Sequence, residues 1–251
     1  MKMGLPSVNR NARRGLAVAM LFAAYGVACS SGSNTEHATG SDSVPSGGHP
    51  QSNGGTVSPS STARGVVLFA GTSITAGLGL APDSAYPMLI QRKIDSAGLP
   101  FEVVNAGVSG ETSSGLLDRL GWLLRARFDV LVIETGANDG LRGIPVSTLR
   151  TNLAAALDRI KTKRPDATIA VIQMEALPNL GAKYTADFHR VYPAVASEKH
   201  VALIPFLLAG VAGDRKLNQN DGVHPNNAGE RIVADNVWKS LRPILDSLAR
   251  K

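Results

Sequence analysis

The chain has 251 residues, 43% of them hydrophobic and 18% charged, with a mean hydropathy of +0.02. That supply of apolar side chains excludes a disordered chain, a coiled coil or a collagen, and no apolar run reaches the ~18–20 residues of a membrane-spanning helix. The net charge of +6 does not mark a nucleic-acid binder: Lys2, Arg10, Arg13 and Arg14 place four of the 26 basic residues at the N-terminus, leaving 22 against 20 acidic ones.

Residues 1–28 read as an export signal. The four basic residues precede a stretch of 13 apolar and small residues, Leu16 to Ala28, too short to span a bilayer. Cys29 is the one cysteine of the chain and stands at the junction before Ser30-Ser31-Gly32. The segment resembles a bacterial lipoprotein signal, which implies lipidation of Cys29 and anchoring of an exported protein in the cell envelope. A single cysteine leaves no internal disulfide. Residues 29–64 then form a Ser-, Gly- and Pro-rich tether, too poor in apolar side chains to offset its ordering entropy.

From residue 65 to 251 the pattern alternates between strand and helix. Gly65–Ala70, Phe101–Asn105, Val130–Glu134, Thr168–Met174 and Val201–Ile204 read as five strands. Between and after them, helical spacing predicts helices at 85–97, 112–127, 146–163, 187–198 and 227–248. Strands separated by helices of this length imply one α/β domain, a three-layer, flavodoxin-like architecture around a five-stranded parallel sheet. In such sheets ligands bind outside the carboxyl ends of the strands.

Unusual residues fall at those ends. Gly71-Thr72-Ser73 follows the first strand, Asn105 to Thr112 with Gly110 follows the second, and Glu134-Thr-Gly-Ala-Asn138-Asp139-Gly140 follows the third. Asp221-Gly222-Val223-His224-Pro225 stands near the C-terminus. Acyl transfer needs a nucleophile, a base, an orienter for the base and donors for an oxyanion. Ser73, His224 and Asp221 fit the first three roles. The Ser73 and Gly110 N–H groups and the Asn138 amide fit the fourth. His189, His200, Trp122 and Trp238 lie in no motif and read as surface or packing residues. Asp139 lacks the companions of a metal ligand, and no dinucleotide or phosphate loop is present.

Together the four segments resemble the blocks of the SGNH hydrolases, the GDSL esterase and lipase superfamily, and most of all its bacterial arylesterase and thioesterase I/lysophospholipase L1 branch. Glu134 to Gly143 and Asp221 to Pro225 carry the likeness to that branch, which runs from about Val67 to about Ile244. Position by position it implies Ser73 as nucleophile, Asp221 and His224 as the other triad members, and Ser73, Gly110 and Asn138 as the oxyanion hole. Thr72 departs from the family motif, which has aspartate there. The resemblance implies a cofactor-free, metal-free serine esterase acting on small ester substrates: aryl or short-to-medium acyl esters, thioesters or lysophospholipids. A carbohydrate O-acetylesterase would use the same five residues, and a non-catalytic lipid- or glycan-binding envelope lipoprotein is the other alternative. Leu141, Pro145, Leu177, Pro178 and Leu180 lie where an acyl pocket is expected.

Overall fold

The computed structural model describes residues 64–250; the export signal, Cys29 and the tether up to residue 63 lie outside the described residues. The five strands are β1 (Gly65–Gly71), β2 (Phe101–Gly107), β3 (Val130–Glu134), β4 (Thr168–Ile172) and β5 (Ala202–Ile204). All pairings are parallel, in the spatial order β2-β1-β3-β4-β5. Every residue of β3 is buried, as expected of a strand covered on both faces.

Among the described residues seven α-helices connect or follow the strands: α1 (Ser73–Ala76), α2 (Tyr86–Ser96), α3 (Ser113–Leu123), α4 (Ala137–Leu141), α5 (Val146–Lys163), α6 (Ala182–Glu198) and α7 (Asn227–Ala249). One layer pairs α2 with α7, and the other lays α5 against both α3 and α6. In α5 the buried residues are Leu149, Leu153, Ala156, Leu157 and Ile160, a stripe at helical spacing that faces the core. Helix α7 starts beside the His224 loop and ends at the opposite edge of the sheet, where Ile244 and Leu248 line a shallow cleft with Thr168 at the start of β4.

Four details depart from the sequence reading. Helix α6 begins at Ala182 rather than at residue 187, because Tyr184 stacks on Phe188 and its hydroxyl donates to the Ile144 carbonyl at 2.6 Å. Helix α3 stops at Leu123, short of residue 127, where three-residue backbone hydrogen bonds from Arg125 and Ala126 tighten the chain. The short helices α1 and α4 occupy what reads as loop. Trp122 does not pack: it is 63% exposed, while Trp238 is partly buried and lies under the Arg242 guanidinium.

Beta order places the reversal of direction between β1 and β3, the crevice where ligands bind in such sheets. The first turn of α7 is held against the preceding loop at Gly229, where an added Cβ would lie 2.2 Å from the Leu217 carbonyl oxygen. Gly229→Ala must therefore displace α7 or that loop, with a cost of about 1–3 kcal/mol. Chemical denaturation of this variant is expected to register that loss.

Candidate active site

Ser73 opens helix α1, directly after β1, and is 8% exposed. The chain reverses sharply there: Ala76 N–H donates back to the Thr72 carbonyl, and Gly77 ends the helix in the left-handed region at φ 70°. That backbone is costly for residues with a Cβ. The serine hydroxyl lies 2.8 Å from His224 Nε2, a contact between residues 151 apart in sequence.

His224 stands on a loop that is stapled to itself. Gln219 N–H donates to the His224 carbonyl at 2.7 Å, and Asn218 and Pro225 form an isolated antiparallel bridge. The Gln219 side-chain amide donates to the carbonyls of Pro225 at 2.9 Å and of Leu78 at 2.7 Å. Gln219 thus ties the histidine loop to the serine loop. The sequence reading missed it, since a lone glutamine at this place carries no motif. Asn226 then caps α7, its side chain accepting from the Ala228 and Gly229 N–H groups.

Asp221 Oδ2 lies 2.7 Å from His224 Nδ1, and its Oδ1 accepts from the N–H groups of Val223 at 2.9 Å and His224 at 3.0 Å. A carboxylate only accepts, so Nδ1 carries the hydrogen and Nε2 is left to accept the Ser73 proton. The backbone N–H groups of His224 and Val223, more than the imidazole itself, hold the Asp221 carboxyl down at about 2.

The prospective oxyanion donors follow β2 and β3, the strands on either side of β1. Gly110 takes φ 79°, and its carbonyl accepts from the Arg142 guanidinium at 2.9 Å. Asn138 lies in α4 rather than in a loop, and one amide hydrogen goes to the Glu111 carbonyl at 2.9 Å, which leaves the second for a ligand. Its neighbour Asp139 is fully buried and accepts from the Ser113 N–H at 2.8 Å and the Ser113 hydroxyl at 2.5 Å. Asp139 therefore fixes α4 on the first turn of α3. Glu111, also buried, forms a two-pronged ion pair with Arg119 that secures the Gly110 loop. Among the described residues no three His, Cys, Asp or Glu side chains cluster to hold a metal ion. His189 pairs with Glu175 at 2.6 Å, and His200 follows the end of α6 at φ 49°.

A largely apolar cavity of about 290 Å³ opens beside the serine, lined by Ile74, Leu141, Leu177, Pro178, Phe206 and Val223 among others. Leu141, Leu177 and Pro178 thus line it as the sequence suggests. Pro145 and Leu180 do not: Pro145 caps α5, and Leu180 ends a single 3-10 turn.

A serine, histidine and aspartate in hydrogen-bonded series at the switch point of a parallel sheet define the arrangement of a serine hydrolase. The chain belongs to the GDSL-like Lipase/Acylhydrolase family, whose model matches residues 69–232. It is 41% identical over 180 residues to the esterase TesA of Pseudomonas aeruginosa, covering 71% of this chain and 89% of that protein. Thioesterase 1/protease 1/lysophospholipase L1 of Escherichia coli is 34% identical over 185 residues, covering 73% and 86%. The crystal structure of the psychrotrophic esterase EstA from Pseudoalteromonas sp., inhibited by monoethylphosphonate, superposes with a TM-score of 0.68 at 32% identity, covering 72% of this chain and 98% of that one.

The pH behaviour of Asp221 follows from its hydrogen bonds. Its folded value is depressed, so their contribution is present above the ordinary carboxylate value of ~3.9 and is lost as pH falls through about 2. A carbon-13 NMR titration of the Asp221 carboxyl should accordingly give a midpoint near 2, and a midpoint at the ordinary value would contradict the hydrogen bonding described.

Proposed function

We propose that the protein is a serine esterase that hydrolyses carboxylic esters through an acyl-enzyme on Ser73. The observation that carries this reading is the 2.8 Å contact of Ser73 Oγ with His224 Nε2, with Asp221 on the other ring nitrogen. The Ser73 oxygen adds to the ester carbonyl while His224 Nε2 takes its proton. The carbonyl oxygen becomes an oxyanion, stabilised by the Ser73 and Gly110 N–H groups and the Asn138 amide. His224 then gives its proton to the leaving alcohol, and the carbon–oxygen bond to it breaks. Water, deprotonated by His224, repeats the addition on the acyl-enzyme and releases the acid. Asp221 stabilises the imidazolium formed in each half.

The apolar cavity supports an acyl group longer than acetyl, and so favours aryl and short-to-medium acyl esters, thioesters or lysophospholipids over acetylated carbohydrate. Leu141→Ser and Leu177→Ser should shift preference toward shorter acyl chains, whereas Leu180→Ser should not. Rates on a series of 4-nitrophenyl esters test this, and unchanged profiles in the first two variants would remove the cavity from the acyl site.

Ser73→Ala should abolish hydrolysis and fluorophosphonate labelling with little change in thermal stability, as it removes one hydroxyl. Asn138→Ala should lower kcat by about 10²–10³, equivalent to ~2.7–4 kcal/mol, with KM little changed, because its donor meets charge that develops in the transition state. Asn138→Asp should be at least as damaging, since it sets an anion against an anion. If Asn138 only capped a turn, aspartate would serve as well.

The site of action proposed for the protein is the cell envelope, through a lipidated Cys29, on the strength of its place after the apolar segment. Incorporation of labelled fatty acid into wild type and its absence in Cys29→Ser would support that anchor.

A further inference from the structure

Ser73 is flanked by two threonines, Thr72 and Thr75, whose side chains converge on one buried carboxylate. Glu134 is the last residue of β3 and is 1% exposed. The Thr72 N–H donates to Oε2 at 2.7 Å, and the Thr72 hydroxyl lies 3.0 and 2.9 Å from the two oxygens. The Thr75 hydroxyl donates to Oε2 at 2.9 Å. Gly71 makes this approach possible, since a Cβ there would sit 2.8 Å from Glu134 Oε2 and 2.0 Å from Thr75 Oγ1.

The directions of the hydrogens follow from counting. Thr75 has one hydroxyl hydrogen, committed to Glu134, so Tyr86 OH, 2.9 Å away, donates to Thr75 Oγ1. The Tyr86 backbone N–H in turn donates to Glu230 Oε2 at 2.7 Å. Glu230 is in the first turn of α7, six residues after His224. Thr72, Thr75 and Tyr86 are fully buried and Glu230 is 1% exposed. The turn that carries the nucleophile is therefore linked, through buried groups, to the helix that leaves the histidine loop.

We propose that Glu134 is a positioning residue for ester hydrolysis: its carboxylate gathers the Thr72 N–H and both threonine hydroxyls to one point, and so fixes the backbone on either side of Ser73. The Ser73 hydroxyl and N–H then keep their aim on His224 and on the developing oxyanion. This rests on the reading of Ser73 as nucleophile. Glu134 touches no substrate; it acts through Thr72 and Thr75. The clamp needs the anion, because a protonated carboxyl would present a hydrogen to groups that are all donors. Burial pushes the Glu134 carboxyl upward, and the hydrogen bonds from Thr72 and Thr75 oppose that rise.

The test uses the full chain with 4-nitrophenyl butyrate, thermal unfolding and the rate of fluorophosphonate labelling. Glu134→Gln keeps the shape but turns an amide toward the donors. It should lower kcat by about ten-fold or more with KM within about two-fold, and labelling should slow in step. Thr72→Val should lower kcat several-fold, and Thr72→Ser, which restores the hydroxyl, should recover it. A role confined to core stability predicts a lower melting temperature with kcat of the folded protein unchanged. That result in Glu134→Gln overturns the proposal, and Thr72→Val decides in the same way if the glutamine variant does not fold. Activity surviving in Ser73→Ala would instead overturn the nucleophile. An inactive Ser73→Ala beside an unimpaired Thr72→Val overturns the positioning role alone.

Discussion

Strand β1 is the constraint on which the rest of the structure depends. It pairs in parallel with β2 along its whole length and with β3 over Val67–Ala70, so it has no free edge. Val66–Ala70 are buried on both faces of the sheet. Because the chain crosses from β2 past β1 to reach β3, the loops after these strands part on either side of a crevice. Ser73, the Gly110 loop and Asn138 are delivered by the ends of β1, β2 and β3. None of them needs a long loop of its own to get there.

The histidine comes by a different route. It is not at a strand end, and its loop is made rigid locally by Gln219, the Asn218–Pro225 bridge and the Asn226 cap. Asp221 also contributes more to that local order than an orienting carboxylate must. It accepts from two backbone N–H groups as well as from the imidazole. The group that selects the histidine tautomer is thus the same group that shapes the turn carrying the histidine.

Much of this was legible in the sequence. Five strands and five of the seven helices follow from periodicity, because each buries a stripe or a whole run of apolar residues against the sheet. Ser73, Asp221 and His224, and the segments of Gly110 and Asn138, stand out because Gly, Ser, Asn, Asp and His gather where apolar runs stop. What escaped has physical reasons. Helices α1 and α4 are only four and five residues long, too short to show a period. Pro145 and Leu180 are apolar and close in sequence to the cavity, yet spacing alone does not say which way a loop turns. The buried chain that runs from Glu134 through Thr72 and Thr75 to Tyr86 and on to Glu230 joins β3, the α1 turn, α2 and α7, and leaves no mark in any one of them. Thr72 illustrates the point: it departs from the aspartate of the family motif, and in the fold its hydroxyl is a donor where a second carboxylate would meet Glu134.

The direction of the strands has a practical side. All five point their carboxyl ends at the catalytic crevice, so the residue where the chain enters β1 lies at the far edge, roughly 23 Å away along seven residues of strand. Helix α7 runs back to that same edge and finishes beside the start of β4. Both ends of the domain therefore emerge behind the reaction centre. A domain built this way can be grafted to a bead, a partner domain or a surface from either end, and its mouth still faces away from whatever holds it.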